Sequence, residues 1–348
     1  MTVTRIAASL LIVLAASCTP TLSQPRGEAH LDAMARARRH HHHGRMLEAA
    51  RAYGDAAQHA ERRVDRDEAR YRQAKALERA RRGPRAVEIL DLVAAGRPVS
   101  RRTVRALFDA SVLRLELGRR AEGIEGLRAL VTEHPNAGNA ARALRLLLDD
   151  ATARGEAAGA LRLCRALYPR VRDSALGDNI LYAQARLLDS TGERRGARAA
   201  LERLVERYPY PHGELWDDAL WQLADMAEED GDYAGAVAEL SRMVAVREWT
   251  NAPGSYTLPR FPVAQLRIAR LHRDRLADPS AAARAFRATY EDFPNSTVRD
   301  DALTELGEML IEQGERREGC ELLGDVVREF ETGRARRRAE ARVERDCR

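Results

Sequence analysis

The sequence predicts an all-α fold, a right-handed α-solenoid of about eight helix hairpins, on three observations. The first is a period. Tight helix–helix turns fall at Gly44, Gly83, Gly118, Gly155, Gly192, Gly231, Ala277 and Gly314, at spacings of 39, 35, 37, 37, 39, 46 and 37 residues. The second is what stands at fixed distances from those turns. Nine residues after each comes Tyr53, Leu92, Leu127, Cys164, Leu201, Leu240, Phe286 or Leu323, all apolar. Five after each comes Ala49, Gly123, Ala160, Ala197, Ala236, Ala282 or Gly319, with Glu88 as the exception. The third is composition: Ala, Arg, Leu and Glu dominate and aromatics make up 5%, which favours helices over β-sheet.

Each element of the pattern has a physical reason. Two antiparallel helices joined by a short turn approach closely only where small side chains face one another. The matching small positions seven residues before the turn are Ala37, Ala76, Ser111, Ala185, Ala224 and Gly307, with Leu148 and Arg270 departing. The apolar residue at +9 fills the space beneath the crossing. Glycine supplies the left-handed stop of the first helix. Proline at +17 (Pro135, Pro209, Pro294) ends the second. One such hairpin cannot bury its apolar face alone, so neighbours stack.

Charge is distributed unevenly. Residues 26–120 carry 23 basic against 13 acidic side chains, residues 121–333 carry 27 against 37, and residues 334–348 carry 7 against 3. A basic front and an acidic body make a dipolar molecule rather than a uniformly nucleic-acid-binding one. Among 58 basic residues Lys75 is the only lysine, a bias that reads as genome composition.

At the N-terminus, Arg5 precedes an apolar run from Ile6 to Ala16. Such a run is too short to span a bilayer as a helix and suits a cleaved signal peptide. Ala15-Ala16-Ser17-Cys18 resembles the lipobox of bacterial lipoproteins. The resemblance implies loss of residues 1–17, lipidation of Cys18 and, with Thr19 rather than Asp next, delivery to the periplasmic face of the outer membrane. Residues 18–29 then read as a lipidated tether, 30–333 as repeats and 334–348 as a basic tail.

No Gly-rich phosphate loop, HExxH, GxSxG or paired zinc-ligand spacing is present. The expectation is therefore no enzyme, no cofactor and no metal. His40 to His43 are consecutive and would spread around a helix, with only His40 and His43 at i, i+3. Asp178, Asp217 and Asp300 each lie 14 residues before a turn, where a carboxylate caps a helix and meets its dipole. Cys164 occupies the apolar +9 position, where a buried structural thiol is expected. In an oxidising periplasm a bridge between Cys320 and Cys347 would fasten the tail to the last repeat. The Pro-rich insert at 248–262 either folds back over the repeats or contacts a partner.

The period, the small residues and helix ends such as His134-Pro135-Asn136, Tyr168-Pro169, Tyr208-Pro209 and Phe293-Pro294-Asn295-Ser296 resemble the tetratricopeptide repeat. Among such proteins the chain is similar to the outer-membrane assembly lipoprotein family BamD and the Tol–Pal cell-division coordinator family. The resemblance implies a protein-binding scaffold in envelope assembly or maintenance, or a subunit of a secretion or cell-wall machine. The rival from another class is a wall-active enzyme on a helical scaffold, which would need a compact catalytic domain where repeats take nearly all of residues 30–330. The resemblance also implies that first helices line a groove. The groove residues are then Arg70 and Arg81, Arg105 and Phe108, Arg142 and Arg145, and, in the fifth repeat, Tyr182, Arg186 and Asp189. Further on come Asp218, Trp221, Asp225, Glu228 and Glu229, then Asp301, Glu308 and Glu312. Trp221 amid four carboxylates would select a peptide with basic and apolar residues; packed into the core, it would select nothing.

Overall fold

The computed structural model describes residues 26–246 and 260–348. Cys18 and most of the 248–262 insert, Trp249 included, lie outside the described residues. The described residues form seventeen helices and no strand, and they divide into two compact units.

The first unit ends at Asp150. It holds α1 (Glu28–His42), α2 (Met46–Gln58), α3 (Arg63–Arg79), α4 (Gly83–Ala94), α5 (Arg101–Glu116), α6 (Arg120–Glu133) and the start of α7 (Ala140–Ala153). The second continues with α8 (Ala157–Val171), α9 (Gly177–Ser190), α10 (Arg194–Arg207), α11 (Trp216–Glu229), α12 (Tyr233–Ala245) and α13 (Arg260–Asp274). It closes with α14 (Pro279–Asp292), α15 (Arg299–Glu312), α16 (Arg316–Glu329) and α17 (Arg334–Asp346). From α1 to α6, and again from α8 to α17, successive helices pack on their sequence neighbours, an all-α solenoid-type stack of hairpins.

Seven of the eight turns lie where expected. Gly44, Gly118, Gly155, Gly192, Gly231 and Gly314 have φ between 71° and 91°, and Ala277 adopts φ 50° without being glycine. The second turn is a correction. Its left-handed residue is Arg81, at φ 56°, and Gly83 instead opens α4. Gly83 is small for a packing reason: a Cβ there would meet Leu117 Cδ2 at 3.0 Å. With the turn at Arg81, the first five turns are spaced by 37 residues each. The +5 and +9 positions become Ala86 and Leu90, and the −7 position becomes Ala74, all fully buried. Leu92, expected in the core, is 53% exposed.

The other +9 side chains are buried, Cys164 among them. The close crossings need the small residues. A Cβ on Gly319 would lie 2.6 Å from the Gly307 carbonyl oxygen, and one on Gly123 would lie 2.8 Å from that of Ser111. Pro135, Pro209 and Pro294 lie just past α6, α10 and α14. Pro169 does not end its helix, because α8 runs on to Val171.

The aspartates fourteen residues before the turns sit at the second helical position rather than at the cap. Asp178 is buried and accepts from the backbone N–H groups of Glu214 at 2.8 Å and Leu215 at 3.3 Å, at the entry to α11. It therefore ties one repeat to the next.

The last residues, read from the sequence as a basic tail, form α17. It packs on α15 and α16 through Ala339 and Val343 against Leu303, Leu323 and Val326. Its position is that of a further first helix, and its outer side is polar, as a terminal cap requires. A disulfide joins Cys347, just past its end, to Cys320 on α16.

Candidate functional site

The first-helix faces carry the site, and the structure brings most of the expected residues of α11 together. Asp218, Trp221, Asp225 and Glu228 recur at helical spacing along one side of α11, with Trp221 half-buried. They do not stand open. Arg260 and Arg267 of α13 lie over the Trp221 ring, their guanidinium carbons 5.9 and 4.7 Å from its centroid. Arg260 Nη1 is 2.5 Å from Asp218 Oδ1. Arg267 donates to Asp225 Oδ1 at 2.6 Å and to Glu228 Oε1 at 2.7 Å. Glu229 departs from the group and pairs with Arg194 of α10 at 2.7 Å.

The negative ring expected around an open tryptophan is thus matched by the chain's own arginines. Two cations over an indole are attracted by its quadrupole, and the carboxylates hold them in place. Tyr182 lies one repeat earlier on α9. Burial, and then the charge of Asp218, raises its phenol above the ordinary range. Asp217, beside Asp218, is held above the usual carboxylate range by burial and by that neighbour. Trp216 packs instead near Tyr210, ring centroids 6.1 Å apart.

The same arrangement recurs along the second unit. Glu305 of α15 is buried and accepts from Arg270 at 2.5 Å and Arg273 at 2.9 Å, both on α13. Burial opposes its ionisation, but the two guanidiniums outweigh burial and hold the carboxyl low. Glu308 and Glu312 take Arg338 at 2.7 Å and Arg342 at 3.2 Å from α17. Arginines of one first helix neutralise the acids of its neighbour. Sequence reasoning missed these partners because it treated each repeat's face by itself.

In the first unit the corrected turn moves the groove positions of the second repeat. Tyr71, rather than Gln73, now stands ten residues before the turn, Glu68 takes the place of Arg70 thirteen before it, and Arg81 is the turn itself. Phe108, Tyr182 and Trp221 hold the same phase as Tyr71 in their own repeats. Arg102 lies 4.1 Å over the Tyr71 ring, whose hydroxyl donates to Asp109 at 2.6 Å. Arg105 and Arg142 flank Phe108 at 6.0 and 5.4 Å, and that ring is buried.

Here, however, a hollow stays open. It has a volume of about 730 Å³ between the first helices α1, α3 and α5. Arginines rim it, and its apolar floor includes Leu31 and Val64, 45% and 60% exposed. A second hollow of about 750 Å³ shares Arg101 and Arg105 with it and reaches Asn139.

The histidine run gathers no site. His41 Nε2 is 2.6 Å from Arg79 Nη1, and burial and that cation lower its pKa. Among the described residues no three His, Cys, Asp or Glu side chains come together to share a metal ion. Among them, too, no helix is long and apolar enough to cross a membrane.

Comparison with known proteins agrees with the repeat. The tetratricopeptide repeat model matches residues 105–137, 180–209 and 263–296. No curated protein sequence matches the chain. Similar solved structures include a tetratricopeptide repeat protein from Parabacteroides merdae, at 14% identity over 82% of this chain and 100% of that one, with a TM-score of 0.36. The C-terminal part of a repeat-containing protein from Cytophaga hutchinsonii is 12% identical over 77% and 98%, with a TM-score of 0.46. PilW, a type IV pilus biogenesis factor, is 14% identical over 70% and 99%, with a TM-score of 0.38.

Proposed function

We propose that this protein is a non-enzymatic scaffold that binds other proteins through its first-helix faces, held by lipid on Cys18 at the periplasmic face of the outer membrane and serving envelope assembly or maintenance. The observation that carries the binding role is the run of tetratricopeptide repeats, whose stacked first helices leave an open hollow in the first unit. Concave surfaces with an apolar floor and a charged rim suit polypeptide ligands. The anchor rests on the Ala15-Ala16-Ser17-Cys18 element. Several acyl chains, each CH₂ contributing ~0.8 kcal/mol, make such attachment lasting.

A partner with basic and apolar residues, the kind that Trp221 and its carboxylates first suggest, would have to displace Arg260 and Arg267 from α11. That competition is between equal charges, and the internal arginines have the advantage of being covalently close. The second unit's face therefore takes such a peptide weakly while both arginines are in place.

The test has two arms. Palmitate labelling and membrane fractionation of wild type and Cys18→Ser address the anchor; label persisting in the variant removes it. Cross-linking in native envelopes addresses the scaffold. Recovery of no protein cross-linked to the first-helix faces, at any of several positions on both units, removes the binding role.

A further inference from the structure

We infer that the arginine-rimmed hollow of the first unit binds an acidic segment of a partner protein that also carries aliphatic side chains. This rests on the scaffold reading above and names the chemistry of the partner.

The charge balance of the hollow points to an anion. Arg26, Arg38, Arg72, Arg101, Arg102 and Arg105 line it, against Asp65 and Glu68. Asp65 takes Arg26 at 3.1 Å. Glu68 is shared by Arg72, at 2.6 Å, and Arg102. Arg105 pairs with Asp109 at 3.3 Å, outside the hollow. Six guanidiniums therefore meet three carboxylates, and three positive charges remain over. Arg38 and Arg101 make no ion pair among the described residues. Here the pattern of the second unit fails. There the neighbouring helix supplies enough acid to neutralise its arginines; here it does not.

The floor sets the second requirement. Leu31 and Val64 are exposed aliphatic side chains beside buried Met34. Water leaves such a floor favourably, at ~25 cal/mol per Å² covered. An anion without apolar groups would leave it wet.

The adjoining hollow supplies an independent sign of a ligand. Asn139 is more than nine-tenths buried and lines that hollow, yet its Nδ2 has no hydrogen-bond partner among the described residues. An unsatisfied buried amide donor costs about 1–3 kcal/mol. A turn of the Asn139 side chain towards the hollow it lines would let a carbonyl or carboxylate oxygen of a bound chain, passing from the first hollow over Arg101 and Arg105, satisfy that donor.

The same features disfavour other anions. A concave hollow does not meet a flat layer of lipid headgroups. Single-stranded nucleic acid wants exposed rings for stacking, and the ring that lines the hollow, His30, is buried with its Nδ1 2.8 Å from the Ala56 carbonyl oxygen. An acidic, aliphatic polypeptide segment matches the rim, the floor and the free amide together.

Fluorescence anisotropy on the full mature chain tests this. The probes are a labelled peptide of about twelve residues mixing Glu with Leu, its Lys-for-Glu counterpart, and an all-Glu peptide. Anionic vesicles of phosphatidylglycerol and a single-stranded oligonucleotide complete the set. The Glu/Leu peptide is expected to bind best, with affinity falling as salt rises. Charge reversal of both Arg38 and Arg101 to Glu should weaken it about tenfold or more. Neither side chain holds an ion pair among the described residues, so thermal melts of the variant should match wild type. Leu31→Ala with Val64→Ala should weaken the Glu/Leu peptide and leave the all-Glu peptide unchanged. Equal binding of the Glu and Lys peptides, or no effect of the charge reversal, overturns the inference. So does tighter binding of vesicles or oligonucleotide than of the peptide. Partners cross-linked only to the second unit would overturn it while leaving the scaffold reading intact.

Discussion

Arg267 lies over the ring of Trp221 at 4.7 Å while donating to Asp225 and Glu228, so one guanidinium closes both the aromatic and the acidic side of the α11 face. Removing it should reopen that face. Arg267→Ala is expected to lose about 1–2 kcal/mol of stability, from the ring contact and partly exposed ion pairs together. It should also raise affinity for peptides that carry Arg beside an aliphatic residue. Urea unfolding and anisotropy check the two effects. Unchanged peptide binding would mean that Arg260 alone suffices to close the face. Trp221→Ala, for a half-buried ring, should cost about 2–3 kcal/mol, below the 3–5 of a fully buried aromatic.

The turn at Arg81 makes a sharp comparison possible. Leu90 is fully buried and Leu92 is not. Leu90→Ala should cost about 2–5 kcal/mol, and Leu92→Ala should stay within about 0.5 kcal/mol. Chemical denaturation of the two variants decides the register of the second hairpin; the reverse order would restore Gly83 as the turn.

Cys164 is buried in apolar surroundings, and burial pushes its thiol up to about 12. Its reactive thiolate is therefore scarce. Thiol reagents at pH ~8 should leave it unmodified in the folded protein and label it on unfolding. The sign of the linkage follows from the raised value. Above the ordinary thiol pKa near 9 the unfolded chain gives up a proton that the folded one keeps. This contribution to stability is complete below pH ~9 and is lost as pH rises towards 12. A melt series across that range, compared with Cys164→Ala, isolates it.

The bond between Cys320 and Cys347 closes a loop of 27 residues. In the chain-entropy model its loss should cost ~3 kcal/mol. Because α17 covers Leu303, Leu323 and Val326, the effect should be local. Hydrogen exchange of Cys347→Ser is expected to speed first in α17 and the facing sides of α15 and α16. Free thiols by mass spectrometry of unreduced protein would remove the bridge.

The helical hairpin, its period and its crossing residues are legible in the order of amino acids alone. Small residues at −7 and +5 and an apolar one at +9 are demanded by any close antiparallel crossing, so they can be read without coordinates. That order left the second turn open to error, since Gly83 imitates a left-handed stop while serving contact with Leu117. Once Arg81 holds that place, Tyr71 and Phe108 fall 37 residues apart in the same phase, and that spacing was there to be read.

Which charges are already paired depends on how the helices stack. Asp218, Asp225 and Glu228 look free along α11, and their partners Arg260 and Arg267 lie about forty residues later, past an irregular 46-residue interval. A charge in sequence carries no record of which cation stacking will bring beside it, because ion pairing depends on distances of a few ångströms between separate helices. For the same reason the surplus of arginine around Leu31 and Val64 emerges only when α1, α3 and α5 are side by side.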